Sequence, residues 1–242
     1  MYVFANFKMY LGFAETNILV NQLLDSSAVR DSDAEVALFP SLLAYSEVEK
    51  ALRGSQIAVG VQATHAGEGN AFTGAISPAQ AADVGATYVL VGHSERRHIF
   101  GEDNDAVRAQ FHAVIAAGLI PVLCVGETAA DLDAGTDQEC IQSQLSILEG
   151  VASDAAFFVA YEPVWAITGS GTGKSCEPEK AAAMHTMISK EVAKYTSESI
   201  PVLYGGSVKP ENIVSYTSLP SVDGVLVGSA STTVESFEAL LT

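Results

Sequence analysis

Two side chains of this sequence stand where catalytic groups are often found, directly behind short apolar segments. Glu162 follows an apolar run that ends at Tyr161, and a glycine-rich stretch at 168–174 comes shortly after it. A carboxylate at the end of a strand, beside a segment that can act as a lid, is a candidate general base. The pattern therefore predicts proton transfer, with Glu162 as the base.

The second of these side chains is a histidine. His93 follows the apolar residues 88–91 and precedes Ser94, which can cap the start of a helix. The N-terminus of a helix disfavours the imidazolium ion, so a neutral imidazole there could donate a hydrogen bond to a substrate carbonyl and polarise it. A helix-capping or core histidine is the alternative interpretation.

A third position offers a cation. The tripeptide Asn6-Phe7-Lys8 ends the first apolar segment, and strand alternation would send Asn6 and Lys8 to the same side. A lysine at a strand end can hold an anion. Taken alone, however, the tripeptide fits a surface lysine better.

Two glycine-containing segments near the end of the chain could bind a phosphate. Gly206 and Ser207 follow one apolar run, and Gly228 and Ser229 follow the next, each before a short predicted helix. Glycine lets the backbone approach a phosphate closely, and helix N-termini offer free N–H donors. Such local donors are needed because the chain carries a formal charge of −17, which repels an anionic substrate.

These candidates need a scaffold that brings strand ends together. Stretches with helical periodicity, such as residues 104–117 and 179–195, alternate with short apolar runs that are typical of parallel strands buried on both faces. We therefore predict an α/β protein, a single (β/α)8 barrel domain over residues 1–242, with the polar residues after each strand converging at one face. A doubly wound open sheet is the alternative. The eight runs are residues 2–5, 36–39, 57–61, 88–91, 121–125, 157–161, 202–204 and 224–227.

Composition argues against several classes of protein. The negative charge disfavours nucleic acid and anionic membranes as partners, since both need a basic surface. No apolar run reaches the roughly 18 residues of a membrane span. Three cysteines without C-x-x-C spacing predict neither a disulfide framework nor a metal site. Because residues 1–5 contain no basic, signal-like stretch, we expect a cytoplasmic protein.

Together, these motifs resemble the signatures of the triosephosphate isomerase family, and they occur in that family's order. The resemblance covers essentially the whole chain, and it implies the family's known roles: Glu162 as general base, His93 as neutral electrophile, and a lid that closes over the substrate. The segments that carry the resemblance are Asn6-Phe7-Lys8, Gly92-His93-Ser94-Glu95-Arg96-Arg97, Tyr161-Glu162-Pro163-Val164-Trp165-Ala166-Ile167 and Tyr204-Gly205-Gly206-Ser207-Val208.

The resemblance also implies the remaining roles and the reaction. Lys8 would stabilise the negative charge of the enediolate and the phosphate, Asn6 would help to orient the substrate, and Glu95 would support these groups from behind. The reaction would interconvert dihydroxyacetone phosphate and D-glyceraldehyde 3-phosphate, without cofactor or metal, as a step of glycolysis and gluconeogenesis. The loop from Thr64 to Ser77 resembles the family's interdigitating loop and implies a homodimer, whereas a floppy surface loop is the alternative.

The glycine-rich stretch departs from the family pattern. Residues 166–174 are three residues longer than the family's usual lid, so either Gly169 or Gly171 would donate its N–H to the phosphate. Extra glycines raise the entropy lost on closure, and we therefore hypothesise that the lid closes less often and releases methylglyoxal. Elsewhere, Ser229 stands where glycine is common and Ala75 where a glutamate is usual.

Other functions remain open at this point. Residues 171–175 resemble the P-loop of ATP-binding proteins, but Thr168 occupies the place of that motif's first glycine. A barrel enzyme for a larger sugar phosphate would need a second phosphate site, and the sequence offers one cluster of glycine-rich strand ends. A catalytically inactive barrel that serves as a binding or scaffold protein would have to be inactive because of its lid, since Lys8, His93 and Glu162 are all present.

Overall fold

A closed barrel of parallel strands forms the centre of the molecule. The computed structural model describes residues 1–67, 71–167 and 175–241. Within these ranges, eight strands pair in the order of the sequence and the last pairs with the first, so the predicted (β/α)8 barrel is confirmed. The strands are β1 (Tyr2–Asn6), β2 (Glu35–Phe39), β3 (Ala58–Val61), β4 (Tyr88–Val91), β5 (Ile120–Val125), β6 (Phe158–Tyr161), β7 (Val202–Tyr204) and β8 (Gly224–Val227).

Helices follow the strands and cover the barrel. The last of the long ones ends at Val192 rather than at Tyr195, because the N–H groups of Lys194 and Tyr195 bond to carbonyls three residues back and tighten the final turn. Among the helices that the structure describes, none is long and apolar enough to cross a membrane. They are α1 (Phe13–Asp25), α2 (Ser27–Arg30), α3 (Tyr45–Leu52), α4 (Pro78–Asp83), α5 (Ser94–His98), α6 (Asn104–Ala116), α7 (Ala129–Ala134), α8 (Asp137–Leu145), α9 (Pro178–Val192), α10 (Ile213–Thr217) and α11 (Val234–Glu238), with 3₁₀ turns at Ser146–Leu148, Val164–Ala166 and Ser229–Ser231.

Buried side chains form two layers, and strand alternation separates them. Along β1, Val3 and Ala5 pack in the layer between barrel and helices, whereas Phe4 belongs to the cluster inside the barrel. The ring of Phe4 lies 4.8 Å from that of Tyr88 and 5.1 Å from that of Phe158, centroid to centroid. Because side chains fill the barrel, a substrate can bind only at one of its ends.

Candidate active site

Polar residues at the carboxyl ends of the strands surround one cavity. Asn6 ends β1, Lys8 lies two residues beyond it, and the other side chains follow β4, β6, β7 and β8, so convergence follows from the parallel direction of the strands. Two predicted phosphate ligands, Gly169 and Gly171, lie outside the described residues. The eight predicted site residues that line the cavity are Asn6, Lys8, His93, Glu162, Gly206, Ser207, Gly228 and Ser229.

The carboxylate of Glu162 is buried and contacts the candidate electrophile. Its Oε1 lies 3.1 Å from Nε2 of His93, and the two side chains are 3% and 7% exposed. Its Oε2 accepts a hydrogen bond of 2.9 Å from the N–H of Ser94, the first residue of α5. A backbone bond of 2.8 Å from the N–H of Glu162 to the carbonyl of Val125 fixes the start of the loop. The carboxylate is therefore held in place from both of its oxygens.

His93 caps α5 with its ring. Gly92, with φ of 69°, turns the chain out of β4, and Nδ1 of His93 then accepts a hydrogen bond of 3.2 Å from the N–H of Glu95. A ring nitrogen that accepts from a backbone N–H carries no proton, so this contact fits the tautomer whose proton is on Nε2. That Nε2–H is the group directed at Glu162, which is the orientation a hydrogen-bonding electrophile needs.

Lys8 is held at both its backbone and its ammonium group. Its φ of 45° lies in the left-handed region, which costs a residue other than glycine roughly 1–3 kcal/mol and is common at functional sites. Its N–H donates to Oδ1 of Asn6 at 3.0 Å, and Nζ lies 2.8 Å from Oε1 of Glu95. Glu95 also approaches Nδ1 of His93 at 3.8 Å. Glu95 thus contacts two candidate catalytic side chains without lining the cavity itself.

The ends of β7 and β8 form the remaining wall of the cavity. A methyl group at Gly206 would lie 2.2 Å from the hydroxyl of Tyr204, so only glycine fits there. Ser207 donates through Oγ to the carbonyl of Ala166 at 2.7 Å, which ties this wall to the residues just before the glycine-rich stretch. A Cβ at Gly228 would lie 3.4 Å from Cε of Lys8. A phosphate on this wall would therefore have a lysine side chain close by.

Several residues that support the site are not evident from the sequence. A methyl group at Gly126 would lie 1.8 Å from the carbonyl oxygen of Glu162, and one at Gly205 would lie 2.9 Å from its Cγ. Behind the site, Arg97 donates to the carbonyl of Gly92 at 2.7 Å and to that of Cys124 at 3.4 Å. Burial lowers the pKa of Arg97. The motif around His93 contains Arg97, but the spacing alone gives no sign of these partners.

The segment after β6 is anchored by a second buried carboxylate. Oε1 of Glu127 accepts hydrogen bonds from the hydroxyl of Tyr161 at 3.0 Å and from the indole N–H of Trp165 at 2.7 Å. Burial raises the pKa of Glu127, and its hydrogen bonds to Trp165 and Tyr161 act in the opposite direction. Nζ of Lys180 lies 5.1 Å from the centroid of the Trp165 ring. Glu127 therefore fixes the position of the residues that precede the glycine-rich stretch.

A buried histidine behind β6 and β7 makes stability depend on pH. Burial lowers the pKa of His185 from 6.5 to about 4, so the unfolded chain takes up a proton that the folded chain does not. The free energy of unfolding should be highest above pH 6.5 and should fall as the pH decreases from 6.5 to about 4, by about 3 kcal/mol from this group. Denaturant unfolding at a series of pH values measures the slope.

Two substitutions separate this contribution from that of other acidic groups. His185→Gln should flatten the decrease between pH 6.5 and 4, whereas the same change at the exposed His98 should leave it as in the parent chain. Equal slopes for the parent chain and His185→Gln would contradict the prediction.

Within the described residues, no group of three or more histidine, cysteine, aspartate or glutamate side chains is arranged to hold a metal ion. The chemistry that Glu162, His93 and Lys8 offer is proton transfer between a carboxylate and carbon, with a hydrogen-bond donor and an ammonium group to stabilise an oxyanion.

Comparison with known proteins supports the same chemistry. The sequence model of the triosephosphate isomerase family matches residues 1–242. Relatives named triosephosphate isomerase come from Roseiflexus sp. (strain RS-1), with 42% identity over 96% of this chain and 92% of the relative, and from Carboxydothermus hydrogenoformans, with 40% over 99% and 97%. One from Chlamydia trachomatis serovar L2 is 39% identical over 99% of this chain and 88% of its own length.

Proposed function

Because the chain belongs to the triosephosphate isomerase family, we propose that Glu162, His93 and Lys8 carry out the family's reaction at the mouth of this barrel. The chain interconverts dihydroxyacetone phosphate and D-glyceraldehyde 3-phosphate, and it needs no cofactor. The observation that carries the assignment is the 3.1 Å contact between Oε1 of Glu162 and Nε2 of His93 in a cavity that Lys8 also lines.

In the proposed mechanism, the carboxylate of Glu162 removes a proton from the carbon next to the carbonyl and returns it to the neighbouring carbon. Substrate has to enter where Glu162 and His93 now contact each other, so the carboxylate gives up its bonds to Nε2 of His93 and the N–H of Ser94. The freed Nε2–H can then donate to the substrate carbonyl. It gives that oxygen its proton as the enediolate forms, and Nε2 takes up the proton of the neighbouring hydroxyl, so the two oxygens exchange a proton as the two carbons do. The substrate thus takes the place of Glu162 as the partner of Nε2–H of His93.

We propose that Lys8 and Asn6 act in stabilising the negative charge on the intermediate. Removal of the proton places negative charge on the former carbonyl oxygen, and a fixed ammonium group near that oxygen lowers the barrier. Asn6 is 4% exposed and holds the backbone of Lys8 through Oδ1. Glu95, at 2.8 Å from Nζ of Lys8, keeps the ammonium group directed towards the site.

The phosphate of the substrate is assigned to the wall formed by the ends of β7 and β8. The backbone N–H groups near Gly206, Ser207, Gly228 and Ser229 are the proposed donors, because these residues line the cavity and their small side chains leave the backbone accessible. They also supply local positive potential in a chain whose net charge is −17. Ser229, in place of the family's common glycine, still supplies a backbone N–H.

A coupled assay of the purified chain tests the assignment of function. We expect rapid formation of D-glyceraldehyde 3-phosphate from dihydroxyacetone phosphate in the presence of EDTA. A methylglyoxal assay of the same sample tests the hypothesis about the longer glycine-rich stretch. A methylglyoxal yield as low as that of a relative with the usual lid would contradict that hypothesis. No isomerisation by folded protein would instead favour a silent scaffold barrel, a function that the relatives do not support.

We also propose that residues 1–242 act as one domain. Strands from both ends of the described chain, β1 and β8, pair directly, which supports one folding unit. The reaction belongs to glycolysis and gluconeogenesis, and that role supports a cytoplasmic location.

A homodimer is the proposed assembly. The loops after β1, β2 and β4 expose large apolar side chains, with Met9 at 95% and Leu43 at 87% exposed. Ile99 and Phe100 are exposed as well, and they line a cavity of about 620 Å³. Contiguous apolar surface of this kind usually marks an interface. The cavity also reaches Lys8, so an occupant would shield the site from water.

The described part of the loop from Thr64 to Ser77 supports a second copy of this chain as the occupant. The ring of Phe72 packs against that of His65 with centroids 4.2 Å apart and the ring planes tilted by 55°, and the N–H of His65 bonds to the carbonyl of Ile76 at 2.8 Å, so the loop has internal support. Ala75, where the family usually has a glutamate, lines a neighbouring cavity with Arg96. The proposed interface therefore lacks one charge that its relatives commonly have.

One substitution should dissociate this dimer. Ile99→Asp places a carboxylate in the apolar contact, and burial of an unpaired charge costs several kcal/mol, so the dimer dissociation constant should rise roughly 100-fold or more. Sedimentation equilibrium should give twice the chain mass for the parent protein and a concentration-dependent lower mass for the variant. Val214→Asp, at a similarly exposed apolar residue on α10, should remain dimeric. A monomeric parent chain would contradict the proposal.

A further inference from the structure

Gln62, the residue directly after β3, is tied to the backbone of the candidate catalytic lysine. Its Nε2 donates hydrogen bonds to the carbonyl of Lys8 at 2.9 Å and to the carbonyl of Phe39 at 3.0 Å. Both protons of the amide are used in this way. The side chain therefore reaches from the end of β3 across the end of β2 to the end of β1.

The residue that Gln62 holds is the one with unusual backbone geometry. Among the described residues other than glycine, Lys8 is the one with positive φ. Its N–H is bonded to Oδ1 of Asn6, and its carbonyl accepts from Gln62, so each polar group of its backbone has a side-chain partner. Sparsely populated conformations persist only where surrounding groups enforce them. Asn6 and Gln62 are the groups that enforce this one.

We propose that Gln62 is a positioning residue for the isomerase reaction, which fixes the left-handed turn at Lys8 and so keeps the ammonium group directed into the active site. The inference rests on the role proposed above for Lys8. Gln62 does not line the cavity that holds Glu162, and its effect on substrate passes through the backbone of Lys8. A displacement of about 1 Å at a catalytic group can cost on the order of 100-fold in rate.

The substitution Gln62→Met removes both N–H donors and keeps the length of the side chain. Without the bond to its carbonyl, Lys8 can relax towards an ordinary backbone conformation and move Nζ. We expect kcat/KM to fall 10- to 100-fold, and the dissociation constant of 2-phosphoglycolate, a phosphorylated carboxylate that resembles the enediolate, to rise by a similar factor. If Gln62→Met fails to fold, Gln62→Glu is measured instead. It keeps the shape of the side chain but replaces the donors by a carboxylate, and we expect the same changes in kcat/KM and in the dissociation constant.

A double-mutant cycle with Lys8→Met distinguishes positioning from a general structural role. In the Lys8→Met background, Gln62→Met should change the dissociation constant of 2-phosphoglycolate less than about three-fold, because the group that it positions is already absent. An equal factor in both backgrounds would overturn the inference and leave the role of Lys8 intact. An unchanged dissociation constant in Lys8→Met alone would overturn the proposed role of Lys8, and this inference with it.

Two controls keep the interpretation specific. Gln56 makes the same kind of contact far from the site, since its Nε2 donates to the carbonyls of Val29 at 2.7 Å and Arg30 at 3.2 Å. Gln56→Met removes equivalent bonds and should leave kcat/KM unchanged. Because Gln62 also lines the cavity beside the proposed dimer contact, activity is measured over a range of protein concentrations. Loss of activity that disappears at high concentration would assign the effect to dimer dissociation and overturn the inference.

Discussion

Replacing Glu162 with glutamine should lower kcat by about 10²- to 10⁴-fold while the protein remains folded. Glutamine fills the same space between Gly205 and the N–H of Ser94, and its amide oxygen can accept the hydrogen bond that Oε2 now accepts. An amide cannot take up a proton at neutral pH, so the variant loses the general base, together with the contact in which Oε1 accepts from Nε2–H of His93 in the free site. Steady-state assays in both directions measure the effect, and circular dichroism verifies the fold.

The matched control for Glu162→Gln is the same change at Glu191. That carboxylate is 8% exposed and pairs with Lys194 on the helix α9 side of the barrel. Glu191→Gln should keep kcat within about two-fold, because Glu191 is not among the residues that line the cavity. A kcat for Glu162→Gln within ten-fold of the parent would contradict the assignment of the base.

Lys8→Met should have the second largest effect, a loss of roughly 10²- to 10³-fold in kcat/KM. Among the described residues that line the cavity with Glu162, Lys8 is the one lysine or arginine, and removal of one preorganised group that stabilises an oxyanion typically costs this much. Methionine keeps most of the packing of the side chain, which is 15% exposed. The affinity for 2-phosphoglycolate should fall in parallel, because both the phosphate and the enediolate-like carboxylate lose a cation.

Lys50→Met provides the comparison for Lys8→Met. Lys50 is 57% exposed and pairs with Glu47 on α3, so its loss changes the net charge by the same amount without touching the site. Similar losses in both variants would show that the overall charge of the chain, rather than the position of Lys8, controls binding.

The location of the site could be predicted from the sequence because it depends on few, strong regularities. In a barrel of parallel strands all carboxyl ends meet at one face, so any polar residue at the end of a strand or within two residues after it is a candidate. Asn6, His93 and Glu162 satisfy this rule, and the cavity includes all three. The runs of apolar residues also gave most strand bounds to within one residue, as for β7 and β8.

The contacts inside the site could not be predicted in the same way. The pair formed by His93 and Glu162 spans 69 positions of sequence, and its distance depends on the register of the closed barrel and on glycines such as Gly126. The left-handed turn at Lys8 has no local signal either, because lysine does not favour positive φ. Gln62 enforces that turn from two strands away. Such contacts arise from tertiary packing, which periodicity and spacing do not encode.

Hydrogen exchange at the reacting carbon tests the central claim most directly. In D₂O, the parent chain should incorporate deuterium into dihydroxyacetone phosphate at the carbon that loses its proton, at a rate comparable to isomerisation. In Glu162→Gln, the rate of this exchange should be lower by about 10²-fold or more, while the variant still binds 2-phosphoglycolate. Exchange that continues at the parent rate in Glu162→Gln would mean that another group removes the proton, and the assignment of Glu162 as the base would be wrong.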